Sequence, residues 1–152
     1  MRGEEGIILV GILIGLAIFI TIMVFYLKNL SDLLKQISPS NRQVEPNNVW
    51  LMFIPFFNLV YPFILYPKVC DSTKAEYMSR GLTSEGDFSK GIGITIPILG
   101  LVSMIPVIGG IASLGNLILF IVFWVKTAGY KNKLMMSPAE EGTVSSNPDL
   151  LD

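Results

Sequence analysis

Residues 50–67 read WLMFIPFFNLVYPFILYP, a segment with no charged residue, three prolines and one asparagine. The segment is apolar enough to enter a bilayer, yet Pro55 and Pro62 each remove a backbone donor and disrupt a helical turn. Asn58 lies between the two prolines, where an unpaired amide in hydrocarbon is costly. We therefore expect a broken membrane segment in which Asn58 bonds the backbone groups that the prolines leave free.

Two arrangements of this segment fit the sequence. One is a single kinked span. The other is a re-entrant helical hairpin, in which 50–54 enters the bilayer, 55–58 turns and 59–66 returns. The chain then becomes polar, and Thr73 and Glu76 have the spacing of a capping box at the start of a new helix.

Two other uncharged stretches, 6–27 and 91–125, flank the central segment. All three are close to or longer than the ~20 apolar residues that cross hydrocarbon as a helix. Of the 152 residues, 51% are hydrophobic and 15% are charged, whereas a soluble domain carries more charge. The sequence therefore predicts an all-α membrane protein, with 1–136 as one integral-membrane domain in the cell membrane.

The last of these stretches is long enough for two helices joined by a tight turn. Pro106, Gly109 and Gly110 are the natural turn residues, which places the two limbs at about 91–105 and 110–125. We expect these limbs to form a second helical hairpin.

The first stretch predicts a retained anchor helix and not a cleaved signal peptide. Its apolar run of 22 residues is longer than the core of a signal peptide, and Glu4 and Glu5 precede it. Gly11 and Gly15 form a G-x-x-x-G pair, a spacing that lets two membrane helices approach closely. Chance is the alternative, because glycine is common in membrane helices.

The anchor is predicted to continue beyond the membrane as an amphipathic extension. Leu27, Leu30, Leu34 and Ile37 fall on one stripe of a helix, while charged and polar residues occupy other positions. We expect this helix to end before Pro39, since the residue that precedes a proline disfavours helical backbone.

The distribution of charge indicates the orientation in the membrane. If 50–67 spans once, eight basic residues lie inside and three outside. If it is re-entrant and the N-terminus is outside, every lysine and arginine except Arg2 is cytoplasmic. Charge therefore favours the re-entrant arrangement, with the linkers and the C-terminus cytoplasmic. Residues 137–152 carry acids but no bases and are predicted to form a disordered tail.

The segment from Phe25 to Lys68 resembles an uncharacterised family of bacterial integral-membrane domains of unknown function. The residues that carry the resemblance are Trp50, Phe53-Ile54-Pro55, Asn58-Leu59 and Pro62. They follow an aromatic-rich helix end and a polar, proline-containing linker, as in that family. The family usually has one more early span than this chain. The resemblance implies a membrane fold and brings no reaction, ligand or partner.

Catalytic and metal-binding chemistry have little support in the sequence. The chain has no histidine and one cysteine, Cys70, which argues against a zinc site and excludes a serine–histidine pair. None of the three apolar stretches contains an acidic or basic residue, which proton relays and ion-coupled transport normally need. We therefore predict a non-enzymatic protein with no catalytic, cofactor or metal site.

Most of the acids in the linkers are predicted to be solvated, although any two of them could meet in space. The acids concerned are Asp32, Glu45, Asp71, Glu76, Glu85 and Asp87. Cys70 lies just past the membrane boundary and is predicted to be an unmodified cytoplasmic thiol. The net charge of −1 gives no field that favours nucleic acid as a partner.

Two functions fit these features. The first is a scaffold or accessory subunit that contacts the lipid bilayer and either itself or another membrane protein. The second is a small oligomeric channel or facilitator lined by broken helices, with Asn58, Thr95, Ser103 and Asn116 as its polar lining. The residues expected to shape the fold or its packing are Gly11, Gly15, Trp50, Pro55, Asn58, Pro62, Pro106, Gly109 and Gly110.

Overall fold

The computed structural model describes residues 2–83 and 86–137. The helices in these ranges are α1 (Arg2–Lys35), a 3-10 helix (Pro46–Phe53), α2 (Pro55–Val60), α3 (Pro62–Ser79), α4 (Lys90–Val102) and α5 (Gly109–Met136). The described ranges contain no strand, so the predicted all-α fold is confirmed for them. The predicted acidic tail, apart from Ser137, lies outside the described residues.

α1 and α5 are the two described helices that are long and apolar enough to cross a membrane, by length and composition. The qualifying span is Glu4–Lys35 in α1 and Gly109–Met136 in α5, while α4 is apolar but shorter. The most apolar window of α1 has no residue buried within the chain, whereas that of α5 is partly covered. The most apolar window of α1 is therefore left uncovered by the other residues that the structure describes.

The hydrophobic core lies at the C-terminal end of α1. Leu27, Leu30, Leu34 and Ile37 are buried there, as predicted, although Ile37 lies beyond the end of α1. The polar residues Asn29 and Ser31 are buried as well, so the extension is covered on more than one face. α1 packs in this region against α5, α3 and the 3-10 helix, and it ends at Lys35, before the proline, as expected. The contacts at this end of α1 therefore set the direction of the whole helix.

The central segment is helical on both sides of Ile54, and the predicted turn at 55–58 is wrong. The chain bends at Ile54, whose backbone is extended, and the N–H of Asn58 then donates to the Ile54 carbonyl at 2.9 Å inside α2. Pro55 occupies the first position of α2, where a missing N–H breaks no helical hydrogen bond. Pro62 starts α3 directly after Tyr61, whose backbone is helical and whose N–H bonds the Phe57 carbonyl, so the missing N–H of Pro62 removes one bond from the helical ladder. Pro55 therefore starts a helix, whereas Pro62 separates two helices that follow one another almost without a break.

α3 extends from the central segment into the region predicted to be a separate helix. It runs through Pro67 to Ser79 as one element. Thr73 lies in its interior, where its hydroxyl donates to the Val69 carbonyl at 2.8 Å. The predicted capping box between Thr73 and Glu76 is therefore wrong. A single helix joins the apolar central segment to the polar part of the chain.

α4 and α5 form the predicted second hairpin, joined by residues 103–108. α4 ends at Val102, before the predicted limit of 105, and α5 continues past 125 to Met136. The extra turns of α5 matter, because they bring its C-terminal end to the core beside α1 and α3.

Most of the described linker acids are at least partly exposed, in agreement with the prediction, and Glu76 is the exception. Glu76 is fully buried. Asp71 forms an ion pair with Lys90 at 2.7 Å. The Asp87 carboxylate accepts hydrogen bonds from two backbone N–H groups at the start of α4, which a helix N-terminus leaves free. The acids that pair with a neighbour at the surface are Asp32 and Glu45, and Glu85 lies outside the described residues.

Glu76 is the centre of a buried hydrogen-bond network. Its carboxylate accepts the N–H of Ser38 at 3.0 Å and the hydroxyl of Ser38 at 2.8 Å. It also accepts the side-chain amide of Asn41 at 2.7 Å and the guanidinium of Arg80 at 2.6 Å. A buried carboxylate is tolerated only when it is paired and hydrogen-bonded in this way. The network ties the segment after α1 to the end of α3.

Arg80 extends this network to the ends of two more helices. Beyond Glu76, its guanidinium donates to the carbonyl oxygens of Gln36, Leu134 and Ser137. The last carbonyls of a helix have no partner within the helix, and Arg80 supplies one to both α1 and α5. We call Glu76, Arg80 and the groups they bond the Glu76–Arg80 junction.

The charge state of Glu76 follows from its contacts. Burial alone would raise the pKa of this carboxyl, but hydrogen bonds from Asn41, Arg80 and Ser38 outweigh burial and lower the pKa below its ordinary 4.5. Because the folded-state pKa is lowered, the junction contributes fully above the ordinary value. Its contribution is lost as the pH falls through the folded-state pKa. The junction is therefore intact at neutral pH.

Arg80→Ala should lower the free energy of unfolding by about 3–5 kcal/mol, because it leaves the Glu76 charge buried without its partner. Lys74→Ala is the matched control, since Lys74 lies on the same helix and is exposed. The control should change stability by less than about 0.5 kcal/mol. Both values are measured by unfolding the purified protein in mild detergent. Equal melting of the two variants would show that the junction does not hold the helix ends.

Candidate functional site

Two adjoining cavities lie between α1, α4 and α5. The first measures about 310 Å³ and also touches α2, α3 and the 3-10 helix, and the second measures about 440 Å³. The residues that line both are Phe19, Met23, Gly100, Asn116 and Phe120. We call the pair the interhelical cavity. Its walls are mostly apolar, so its few polar groups determine what chemistry it offers.

Two amide side chains line the interhelical cavity. Asn58 forms no side-chain hydrogen bond with a described residue, so the predicted bond to the freed backbone is not found. The Oδ1 of Asn116 is shielded from solvent and has no hydrogen-bond partner among the described residues. A shielded acceptor without a donor costs free energy. The cavity therefore contains an acceptor that a bound group could satisfy.

The other two residues predicted to line a channel are placed differently. Ser103 lies beside Asn116 in the larger part of the cavity, but its hydroxyl donates to the Leu99 carbonyl at 2.7 Å. Thr95 lines neither part, and its hydroxyl donates to the Gly91 carbonyl at 2.8 Å. The fold thus brings three of the four predicted polar residues to the cavity.

The glycines in the apolar helices differ in how closely other residues approach them. A Cβ atom at Gly11 or Gly15 would meet nothing within 4 Å, so the described residues do not cover the G-x-x-x-G face. A Cβ atom at Gly93 would lie 3.0 Å from the Cβ of Tyr66 and 3.2 Å from the ring of Phe123. Gly93 is therefore a close-packing position between α4 and its neighbours α3 and α5.

The two glycines predicted at the hairpin turn are not equivalent. A Cβ atom at Gly109 would overlap the backbone carbonyl oxygen of Ser103, so only glycine fits there. A Cβ atom at Gly110 would meet nothing within 4 Å. Pro106 lies exposed in the turn itself. The close approach at Gly109 closes the hairpin.

The remaining predicted residues lie in or near the central segment. Trp50 is in the 3-10 helix and stacks on Phe53 with ring centroids 6.0 Å apart and planes 8° from parallel. Pro55 is exposed at the start of α2, while Pro62 is buried at the start of α3 and lines the cavity. These residues shape the path of the backbone and carry no reactive group.

One polar contact between α1 and α5 was missed by sequence reasoning. The side-chain amide of Asn29 donates to the hydroxyl of Thr127 at 3.0 Å, and both residues are buried. The available signal was a polar residue next to the apolar stripe of the amphipathic extension. Glu76 and Arg80 gave a similar signal, since they are four residues apart and of opposite charge.

Reactive groups are few in the described part of the chain. No group of three or more His, Cys, Asp or Glu side chains lies together there as a metal site requires. Burial, and then the charges of Asp71 and Asp87, raise the pKa of the Cys70 thiol to about 12. A thiol is nucleophilic only as the thiolate, so Cys70 is inert at neutral pH.

Gly109→Ala should lower the free energy of unfolding by about 1–3 kcal/mol, because the new methyl group must displace backbone. Gly110→Ala is the control, and its better helix propensity should leave stability unchanged or raise it by up to ~1 kcal/mol. Thermal unfolding in mild detergent measures both. Equal melting temperatures for the two variants would contradict the close approach to Ser103.

Maleimide should label Cys70 in the folded protein at pH 8 about a thousandfold more slowly than an ordinary thiol of pKa 9.0. The thiolate fraction falls tenfold for each unit by which the pKa rises, and burial slows access further. Labelling is followed by mass spectrometry before and after unfolding in dodecyl sulfate, which should restore the ordinary rate. Rapid labelling of the folded protein would contradict the burial of this thiol.

No protein-family model, curated protein or solved structure was found to match this chain. The resemblance of its central segment to a family of bacterial membrane domains therefore stays a prediction. Function has to be argued from the uncovered surface of α1, from the interhelical cavity and from the arrangement of the helix ends.

Proposed function

We propose that this chain is a non-enzymatic integral membrane protein that acts as a scaffold or accessory subunit of a membrane assembly. The uncovered apolar surface of α1 carries the proposal. In lipid, helices associate through close packing of small residues, because lipid tails supply no hydrophobic drive. Gly11 and Gly15 have open space beside them, so a helix of another protein or of a second copy can approach there.

The arrangement of the helix ends supports a re-entrant central segment. The Glu76–Arg80 junction joins the ends of α1, α3 and α5, so the two long linkers and the end of α5 lie at the same end of the molecule. A central segment that entered and left on one face would produce this arrangement. In the proposed orientation that face is cytoplasmic. Single cysteines at Ser40 and Thr83 should then be accessible from the same side of the membrane.

Gly11→Leu/Gly15→Leu should weaken association of the purified protein with itself or with its co-purifying partner by at least about tenfold. Leucine at these positions prevents close approach of a second helix. Leu9→Phe/Leu13→Phe is the control, since this pair has the same spacing on the opposite side of α1. Light scattering and cross-linking in several mild detergents measure the assembly. A wild-type protein that is strictly monomeric and free of partners in all of them would refute the proposal.

A small oligomeric channel is the second candidate, favoured by the amides of Asn58 and Asn116 in one interhelical cavity. Irregular backbone at membrane depth is usual where it lines such a cavity. One copy offers too few spans for a pore, so a channel would also need assembly. Flux through liposomes that disappears in Asn58→Leu and Asn116→Leu variants would favour the channel over the scaffold.

A further inference from the structure

A cavity of about 220 Å³ lies near the C-terminal end of α5, outside the interhelical cavity. The residues that line it are Tyr77, Lys126, Gly129, Tyr130 and Lys133. We call it the basic cavity, and we propose that it binds the phosphate headgroup of an anionic phospholipid. The inference rests on the proposal that the protein is embedded in a bilayer, but not on its role in an assembly.

One face of α5 presents the basic cavity. Lys126, Tyr130 and Lys133 are four and three residues apart, so they share one side of the helix. The side chains of Tyr77 and Tyr130 are buried, unlike the two lysines. The Tyr77 hydroxyl donates to the Tyr130 carbonyl at 3.2 Å. The Tyr130 hydroxyl shares a hydrogen bond of 3.1 Å with that of Ser89. The floor of the cavity is therefore fixed by the fold.

The two lysines make the cavity positive. The Nζ of Lys133 lies 5.4 Å from the centre of the Tyr77 ring, a cation–π contact that holds the ammonium beside the cavity. Neither Lys126 nor Lys133 forms an ion pair with a carboxylate of the described residues. Both charges therefore remain available to an anion.

Asp87 is a carboxylate of the described part of the chain whose charge interacts with Lys126, and it has to be counted. Asp87 has a lowered pKa chiefly because it accepts the N–H of Gly91, and Lys126 makes a smaller contribution to the lowering. Its oxygens accept backbone N–H groups, and Asp87 does not line the cavity. Among the residues that the structure describes, two lysines against this carboxylate leave a net positive site.

The position of the basic cavity along α5 favours a lipid headgroup over a free anion as its ligand. The uncharged run of α5 ends at Val125, and Trp124 next to it is a residue type that anchors helices at the membrane interface. Basic pockets beside membrane helices at this level bind anionic lipid headgroups. A Cβ atom at Gly129 would meet nothing within 4 Å, which leaves room for a phosphate. The cavity is also below the ~300–1,000 Å³ usual for small-molecule sites.

The test uses the full-length protein in mild detergent, titrated separately with phosphatidylglycerol, phosphatidylcholine and inorganic phosphate. Native mass spectrometry measures retained lipid, and the same spectra report oligomeric state. Phosphatidylglycerol should bind more tightly than phosphatidylcholine, and Lys126→Gln/Lys133→Gln should weaken its binding roughly 30-fold. Millimolar phosphate should not displace it. A monomer that retains phosphatidylglycerol would refute the assembly role and leave this inference standing.

Two variants separate a built site from general charge attraction. Lys74→Gln/Lys131→Gln removes the same charge outside the cavity and should change binding less than about threefold. Gly129→Leu keeps both lysines, fills open space and should also weaken binding. Equal losses in the two double-lysine variants would overturn the proposal, as would equal affinity for the two lipids. Displacement by inorganic phosphate would assign the cavity to a free anion instead.

Discussion

The rest of the structure depends on the hydrogen bonds that the Arg80 guanidinium donates. Arginine has five N–H donors in a fixed planar fork, and here they bond Glu76 and the carbonyls that end α1 and α5. A helix end that is buried without partners for its carbonyls is unstable. One side chain at the end of α3 therefore allows three helix ends to be buried together. Glu76 supplies the compensating charge, and the bonds from Ser38 and Asn41 keep it ionised.

The molecule is packed at its polar end and open at its apolar end, the reverse of a soluble domain. Near the junction, Leu34, Ile37, Tyr77 and Leu134 are fully buried, so water is excluded and apolar burial stabilises the contacts. Further along α1 the apolar side chains are exposed and the helices enclose the interhelical cavity. In a bilayer lipid covers such surfaces, and little is gained by covering them with protein. The polar end thus sets the directions of helices that are not otherwise constrained.

Periodicity and composition correctly predicted those elements that depend only on residues close together in the sequence. The stripe from Leu27 to Ile37, the end of α1 before Pro39 and the second hairpin follow from local pattern. The turn at 55–58 was wrongly predicted because proline was read as a helix breaker, although it also fits the first helical position. The burial of Glu76 depends on Ser38 and Asn41, 35 to 38 residues away, and no local pattern contains such a contact.

Helix lengths set how far each element reaches from the junction into a membrane. Residues 6–27 of α1 extend about 33 Å, close to the ~30 Å of a hydrocarbon core, whereas the 13 residues of α4 extend only about 20 Å. The turn at 103–108 carries no charge, and Val107 within it is 90% exposed. In the proposed orientation this apolar turn stays in the far leaflet and α1 alone continues past it. A Cβ atom at Gly11 or Gly15 would meet nothing within 4 Å, so a partner helix packed there meets no competing helix from the described part of this chain.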